Sequence, residues 1–334
     1  MSTSKLHYDH NGPVFIVGMN GSGTTMLLDH MGEHPQLFGY RLETQFLPGY
    51  LINAGKYGDL KDDTNFRRLW DDMRSEFAIQ RANRRMPLDL PDNWKDAPRS
   101  VAGTFNGIML EFAAREGKTR WCEKTPPHIF HLDLLSEAFP SAKFIHIIRD
   151  GRDCAASCLR RWGTHPVGAS VRWREAMQAG RMAAETLPGR FLEVVYEEIT
   201  VNPQDALRKI CEFLGVAFDS AVLKAKRVRP KMTGNSSIEI KPNKRKRSVL
   251  EERGYAEKIE RMAGKELSAH GYECKYPDSE ARVGRFDRLA WHWNDAMAFM
   301  VHLIKAKAGA QPHLTWSLFW SRIKATTKAK TIKR

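Results

Sequence analysis

The chain contains a run suited to holding an anion, Gly18-Met19-Asn20-Gly21-Ser22-Gly23-Thr24-Thr25. Four apolar residues precede it, Val14-Phe15-Ile16-Val17, and read as a short buried strand. A helix is expected to open at Thr24. Strand, glycine loop and helix start together aim backbone N–H groups at a phosphate. The spacing from Gly18 to Gly23 fits the first half of the Walker A pattern, G-x-x-x-x-G-K-[ST], but Thr24 stands where that pattern has its lysine. A second cationic point is Arg149, directly after the apolar run Phe144-Ile145-His146-Ile147-Ile148. An ATPase or GTPase of this architecture wants an acidic residue there to help hold Mg²⁺. A guanidinium instead suits a second phosphate, which it binds as a planar fork. Ser157, about two helical turns further on, adds a hydroxyl donor. The competing role for Arg149 is a salt bridge to Asp150 or Asp153.

The elements that must position these residues alternate. A helix from Thr24 stops near His34-Pro35, because proline disfavours helix at the residue before it. Residues 57–100 are polar, punctuated by Pro87, Pro91 and Pro98, and read as a surface excursion. Val101 to Glu116 has helical apolar spacing with Gly117 as its cap, and Thr119 to Lys124 is a short strand ending in a turn. Lys143 to Ile148 is a clear buried strand, Val167 to Glu185 a helix, Phe191 to Tyr196 another strand, and Pro203 to Leu214 an amphipathic helix closed by Gly215. This order predicts an α/β protein, a P-loop-type parallel sheet with helices on both faces. Ligands of such sheets bind beyond the carboxyl ends of the strands, so the glycine loop and Arg149 are expected to face one crevice.

Taken together, the loop Gly18–Thr25, the turn Glu123-Lys124-Thr125-Pro126, the run Phe144–Asp153 with Ser157, and the stretch Tyr196-Glu197-Glu198-Ile199, Pro203, Phe213-Leu214-Gly215 resemble the sulfotransferases that use 3′-phosphoadenosine 5′-phosphosulfate (PAPS). The similarity is to the branch of bacterial, tyrosylprotein and heparan-type enzymes and runs over roughly residues 13–275. The resemblance implies that the amides of residues 21–25 (Gly21, Ser22, Gly23, Thr24, Thr25) and the hydroxyls of Ser22, Thr24 and Thr25 hold the 5′-phosphosulfate. It implies that Arg149 and Ser157 hold the 3′-phosphate, which distinguishes PAPS from ATP, with Tyr196 also at the cofactor. The basic run Lys244-Arg245-Lys246-Arg247 stands where the family often supplies a further 3′-phosphate contact; a solvated charged loop is its other reading. The family usually has Arg or Lys at the position of Gly21. Lys124 is therefore expected to supply the missing charge toward the leaving group. Glu43, in Arg41-Leu42-Glu43-Thr44-Gln45-Phe46, matches the family's glutamate base, for which partial burial would raise the carboxyl pKa. His34, His128 and His146 are the alternatives. No metal is required, because the cations are side chains.

The expected activity is transfer of a sulfuryl group from PAPS to a hydroxyl, with a carbohydrate or glycolipid acceptor favoured and Trp70, Trp94 and Trp121 offering sugar-stacking faces. The rivals are a nucleotide or small-molecule kinase, and a non-enzymatic basic module that docks on membrane or nucleic acid. The chain's 334 residues suffice for one large domain, residues 1–280, and a basic helical tail, 281–334. The net charge of +14 is concentrated in 224–247 and 281–334, leaving the rest mildly acidic. A general nucleic-acid binder spreads its basic residues over one face, so no nucleic-acid partner is expected. Five cysteines with no C-x-x-C read as reduced thiols. With no apolar leader in Met1–Asn11 and no run of about 18 apolar residues, a cytoplasmic protein is expected. In the tail, Phe286, Leu289, Trp293, Met297, Met300 and Ile304 fall near helical spacing, with Trp316 and Trp320 on a second basic segment. That pattern suits either an anionic membrane surface or a helix packed back on the domain.

Overall fold

Strand and helix alternate as the apolar runs require. The computed structural model describes residues 12–83, 90–225, 240, 247–284, 286–291 and 293. Strand β1 (Val14–Gly18) leads into helix α1 (Thr24–Met31), and the short strand β2 (Leu37–Tyr40) follows. Helices α2 (Leu47–Ile52), α3 (Asp63–Ser75), α4 (Phe77–Asn83) and α5 (Val101–Arg115) precede β3 (Arg120–Lys124). A 3₁₀ turn, Pro126–His131, and helix α6 (Leu132–Ala138) then lead to β4 (Lys143–Ile148). After α7 (Gly151–Trp162) and α8 (Pro166–Thr186) come β5 (Phe191–Val195), α9 (Tyr196–Val201) and α10 (Pro203–Leu214). Helices α11 (Ser248–Glu252) and α12 (Ala256–Ala269) follow. The described residues within 12–148 and 178–225, with 240, form one compact unit; those within 149–177 and 247–293 form a second.

The first unit is built on a five-stranded sheet in the order β2-β3-β1-β4-β5, with every pair parallel. A parallel sheet needs crossover connections, and these cover both of its faces. Strand alternation sends Val14, Ile16, Ile145 and Ile147 to one face, against Leu27 and Leu28 of α1 and Leu207, Ile210 and Leu214 of α10. Phe15, Trp121 and Phe144 go to the other, where Phe15 meets Trp121 at 5.3 Å, Phe144 at 5.4 Å and Phe139 at 5.5 Å. Each such fully buried side chain stabilises by about 1.5–3 kcal/mol. The chain leaves β1 toward β2 at one edge and leaves β4 toward β5 at the other. Strand order therefore reverses between β1 and β4, the point where open α/β sheets bind ligands.

Two details differ from the sequence reading. Leu37–Tyr40 is an edge strand, in register with Arg120 to Glu123, although four residues interrupted by Gly39 give no strand signal of their own. Residues 57–100 are not merely surface: Phe66, Leu69, Trp70 and Met73 make a fully buried stripe on α3. The sugar-stacking role expected of Trp70 and Trp121 is thereby overturned, since both rings lie in the core. Trp121 Nε1 donates to Asn106 Oδ1 at 2.7 Å, and Trp94 is half-buried against Phe66. All five cysteines are free thiols, four of them buried. Residues 294–334, most of the basic tail, lie outside the described residues.

Candidate active site

The glycine loop leaves β1 at its carboxyl end. Gly23 has φ +110°, and a Cβ there would lie 2.4 Å from the Tyr196 ring. Only glycine satisfies both constraints. Tyr196, at the start of α9, thus braces the loop directly beneath the helix entrance. Ser22 N–H turns back to the Met19 carbonyl at 3.0 Å, and the first helical bond of α1 runs from Leu27 N–H to Gly23 C=O at 3.1 Å. The amides before Leu27 are those that a helix start leaves over. No side chain caps α1, and its first turn holds no acidic residue. Ser22 Oγ is buried with no hydrogen-bond partner among the described residues. An orphan hydroxyl of this kind costs about 1–3 kcal/mol, a penalty that a bound anion would remove. The loop therefore fits a phosphate group.

Beside it, β2 and β3 run parallel with Tyr40 opposite Glu123, so the residues that follow each strand emerge together. Glu43 meets Lys124 there, Nζ to Oε1 at 2.9 Å. The Lys124 side chain is 7% exposed and that of Glu43 33%, so the carboxylate is the half open to solvent. Gln45 Nε2 donates to the other oxygen of Glu43 at 2.6 Å. Lys124 is also in register with Ile16 of β1, at the sheet end from which the glycine loop emerges.

Beneath this pair lies a fully buried polar network that sequence reasoning missed. Glu123 Oε2 accepts from Thr125 Oγ1 at 2.8 Å and from Thr44 Oγ1 at 3.1 Å. Thr125 Oγ1 in turn accepts the Thr44 backbone N–H at 2.8 Å. Having donated to Glu123, Thr44 Oγ1 is left to accept from His128 Nε2 at 3.1 Å, which assigns the proton to that ring nitrogen. Burial pushes the Glu123 carboxyl up to about 8 and the His128 imidazole down to about 3. At neutral pH the network is therefore an acid-form Glu123 and a neutral His128, with no net charge. It locks the backbone of Thr44 and Thr125, the neighbours of Glu43 and Lys124. Glu123 alternates with Trp121 on a strand, a period-2 signal that could have marked it as inward-facing.

The remaining histidine alternatives are structural. His34 Nε2 donates to the Ala217 carbonyl at 2.9 Å, and His146 is buried on β4 with Nδ1 3.0 Å from Glu193 Oε1.

In the second unit, Asp150 caps α7, accepting from the Arg152 N–H at 3.0 Å. It also accepts from Arg152 Nε at 3.0 Å and Nη2 at 2.8 Å, and from Arg247 Nη2 at 2.5 Å. Arg247 Nε donates to Asp153 at 2.9 Å, and Arg152 Nη1 reaches Glu260 at 2.7 Å. Burial opposes ionisation of Asp150, but these hydrogen bonds and charges outweigh it and hold the carboxyl below its usual range. Arg152 and Arg247 thus both engage Asp150, and Arg247 also engages Asp153. The backbone of Arg149 is fixed by Trp173, whose Nε1 donates to its carbonyl at 2.8 Å. The same indole lies against Gly151, where a Cβ would come within 2.6 Å of the ring. Ser157 is buried on α7. Of the sequence-expected residues, then, Glu43 meets Lys124 and Tyr196 packs on Gly23 in the first unit. Arg149 and Ser157 belong to the second, and Lys244 and Arg245 lie outside the described residues.

A protein-tyrosine sulfotransferase of Drosophila melanogaster is 28% identical over 220 residues, 63% of this chain and 39% of that protein. Protein-tyrosine sulfotransferase 2 of Gallus gallus is 25% identical over 233 residues, 63% of this chain and 53% of that protein. The matched stretch thus covers less than two thirds of either relative's length. Among solved structures, the sulfotransferase domain from the curacin biosynthetic pathway aligns with a TM-score of 0.48 at 20% identity, over 79% of this chain and 99% of that one. The model of the sulfotransferase family matches residues 13–220, a span that holds the glycine loop, the Glu43–Lys124 pair, Arg149, Ser157 and Tyr196, and the chain belongs to that family.

Proposed function

We propose that the chain transfers a sulfuryl group from PAPS to a hydroxyl acceptor. The observation that carries this reading is the Glu43–Lys124 pair, 2.9 Å apart at the sheet end from which an uncapped, glycine-lined helix start emerges. The loop amides and the orphan Ser22 hydroxyl bind the 5′-phosphosulfate. The acceptor hydroxyl attacks sulfur in line, its proton passes to the Glu43 carboxylate, and the bond from sulfur to the bridging oxygen breaks. The products are a sulfate ester, adenosine 3′,5′-bisphosphate and a proton on Glu43. Lys124 offsets the charge that develops on the departing phosphate oxygen, the task of the side chain that Gly21 lacks. The family pattern assigns the 3′-phosphate to Arg149 and Ser157, and Thr24 and Thr25 add hydroxyls at the loop.

The acceptor class is the finer part of this proposal. With Trp70 and Trp121 in the core, the stacking argument for a carbohydrate or glycolipid rests on Trp94 alone. The names of the relatives make a tyrosyl peptide the other acceptor to assay. Mass spectrometry of a tyrosyl peptide and of an oligosaccharide after separate incubations with PAPS and with ATP tests both. One of them is expected to gain a single sulfuryl group. Gain of a phosphoryl group from ATP instead would replace this reading with a kinase.

A further inference from the structure

The start of the tail packs through one face and leaves the opposite face bare. Residues 286–291 and 293 are helical. Trp291 stacks on His165, with ring centroids 5.8 Å apart and planes 19° from parallel, and sits over Gly168, where a Cβ would be 3.1 Å from its own. Arg288 Nη1 donates to Glu175 Oε1 at 2.7 Å. These contacts hold that face against the second unit. Phe286, Leu289 and Trp293 fall on the other side, at 87%, 62% and 66% exposure. At about 100° per residue their spacing puts all three within a narrow arc. In sequence, Met297, Met300 and Ile304 continue the same spacing. Residues 294–334 then hold eight Lys/Arg against one acidic residue, with Trp316, Phe319 and Trp320 among them.

We infer that the exposed face of Phe286, Leu289 and Trp293 is a docking surface for an anionic lipid bilayer, with the basic sequence that follows adding charge attraction. An aromatic and aliphatic face buries into the boundary between headgroups and acyl chains, while lysines and arginines hold the anionic headgroups. Charge decides against a second copy of the chain as occupant, since self-association would bring two strongly basic segments together. A nucleic acid would leave the apolar face uncovered. This inference stands independently of the proposed reaction. The described residues contain no helix long and apolar enough to cross a membrane.

The test is co-sedimentation of the full chain with phosphatidylcholine vesicles, with and without phosphatidylglycerol, at low and high salt. The chain is expected to bind the anionic vesicles and to be released by salt. The variant Phe286→Ser/Leu289→Ser/Trp293→Ser is expected to lose about tenfold or more in partitioning while keeping its melting temperature. The variant Lys324→Gln/Lys328→Gln/Lys330→Gln/Lys333→Gln keeps the apolar face intact and is expected to lose the preference for anionic lipid. Three results would overturn the inference: no binding to anionic vesicles, binding unchanged in the triple serine variant, or a triple variant that alters oligomeric mass and leaves lipid binding as it was.

Discussion

The Glu43–Lys124 pair of the first unit and the Asp150–Arg152–Arg247–Asp153 cluster of the second are both carboxylates facing cations, but they are arranged for different ends. Glu43 is one-third exposed and meets both Lys124 and Gln45, leaving the open side that the proposed proton transfer requires. Asp150 is buried and accepts four side-chain and backbone donors at once. Its charge is fully engaged in capping α7 and in tying Arg247 to that helix. A carboxylate that must move a proton needs an open side and a partner that can turn to another group. One that must hold an element in place needs neither. The contrast also separates the basic run, because Arg247 at its end is engaged structurally, whatever Lys244 and Arg245 bind.

Substitutions can break this contrast. The largest effect is expected from Glu43→Gln. It keeps the contact with Lys124 but cannot accept a proton, so kcat should fall by about 10²–10⁴ while affinity for adenosine 3′,5′-bisphosphate and melting temperature hold. Asp150→Asn should do the reverse in kind. Breaking a buried pair costs about 3–5 kcal/mol, read as a lower midpoint in denaturant titration, with activity lost in step with folding. Gly23→Ala is next, combining a strained φ of +110° with the collision with Tyr196. A cost of about 1–3 kcal/mol is expected. The double variant Gly23→Ala/Tyr196→Ala should recover only the part due to the collision.

A further test sharpens the comparison through pH. The unfolded Glu123 carboxyl loses its proton near 4.5, whereas the folded one holds it to about 8. Between those values the folded state binds more protons, so stability falls as pH rises. His128 works on the other side. Its unfolded ring protonates below 6.5 and its folded ring only near 3, so stability falls as pH drops through that window. Glu123→Gln imitates the acid form, and its melting temperature should lack the decline between pH 5 and 8 that the parent shows, while the acid limb due to His128 remains.

Much of the fold was legible because local pattern and tertiary role agree. The apolar runs of β1 and β4 are buried on both faces and read as continuous hydrophobic stretches. Gly215 ends α10 as its position suggests. The strand β2 was not legible, since its four residues gain their partners only from Arg120 to Glu123, some 80 positions away. The same distance hid the Glu123 network: Thr44 is 79 residues from Glu123 and 84 from His128. A single glutamate in a short strand reads as surface until its hydroxyl partners are known. The meeting of Glu43 with Lys124 is likewise invisible as geometry, although the family pattern points to each residue separately. Trp70 and Trp121 failed in the opposite direction, because residue type alone does not say whether an indole faces solvent or core.

The proposed reaction requires a protein that distinguishes a 3′-phosphorylated nucleotide from one without that phosphate. The most direct measurement is the shift in melting temperature given by adenosine 3′,5′-bisphosphate compared with AMP and ATP at equal concentration. Stabilisation grows with the ratio of ligand concentration to Kd, so a site that reads the 3′-phosphate should be raised by several degrees by the bisphosphate and far less by the other two. Equal shifts from all three, or a shift from ATP alone, would contradict the account.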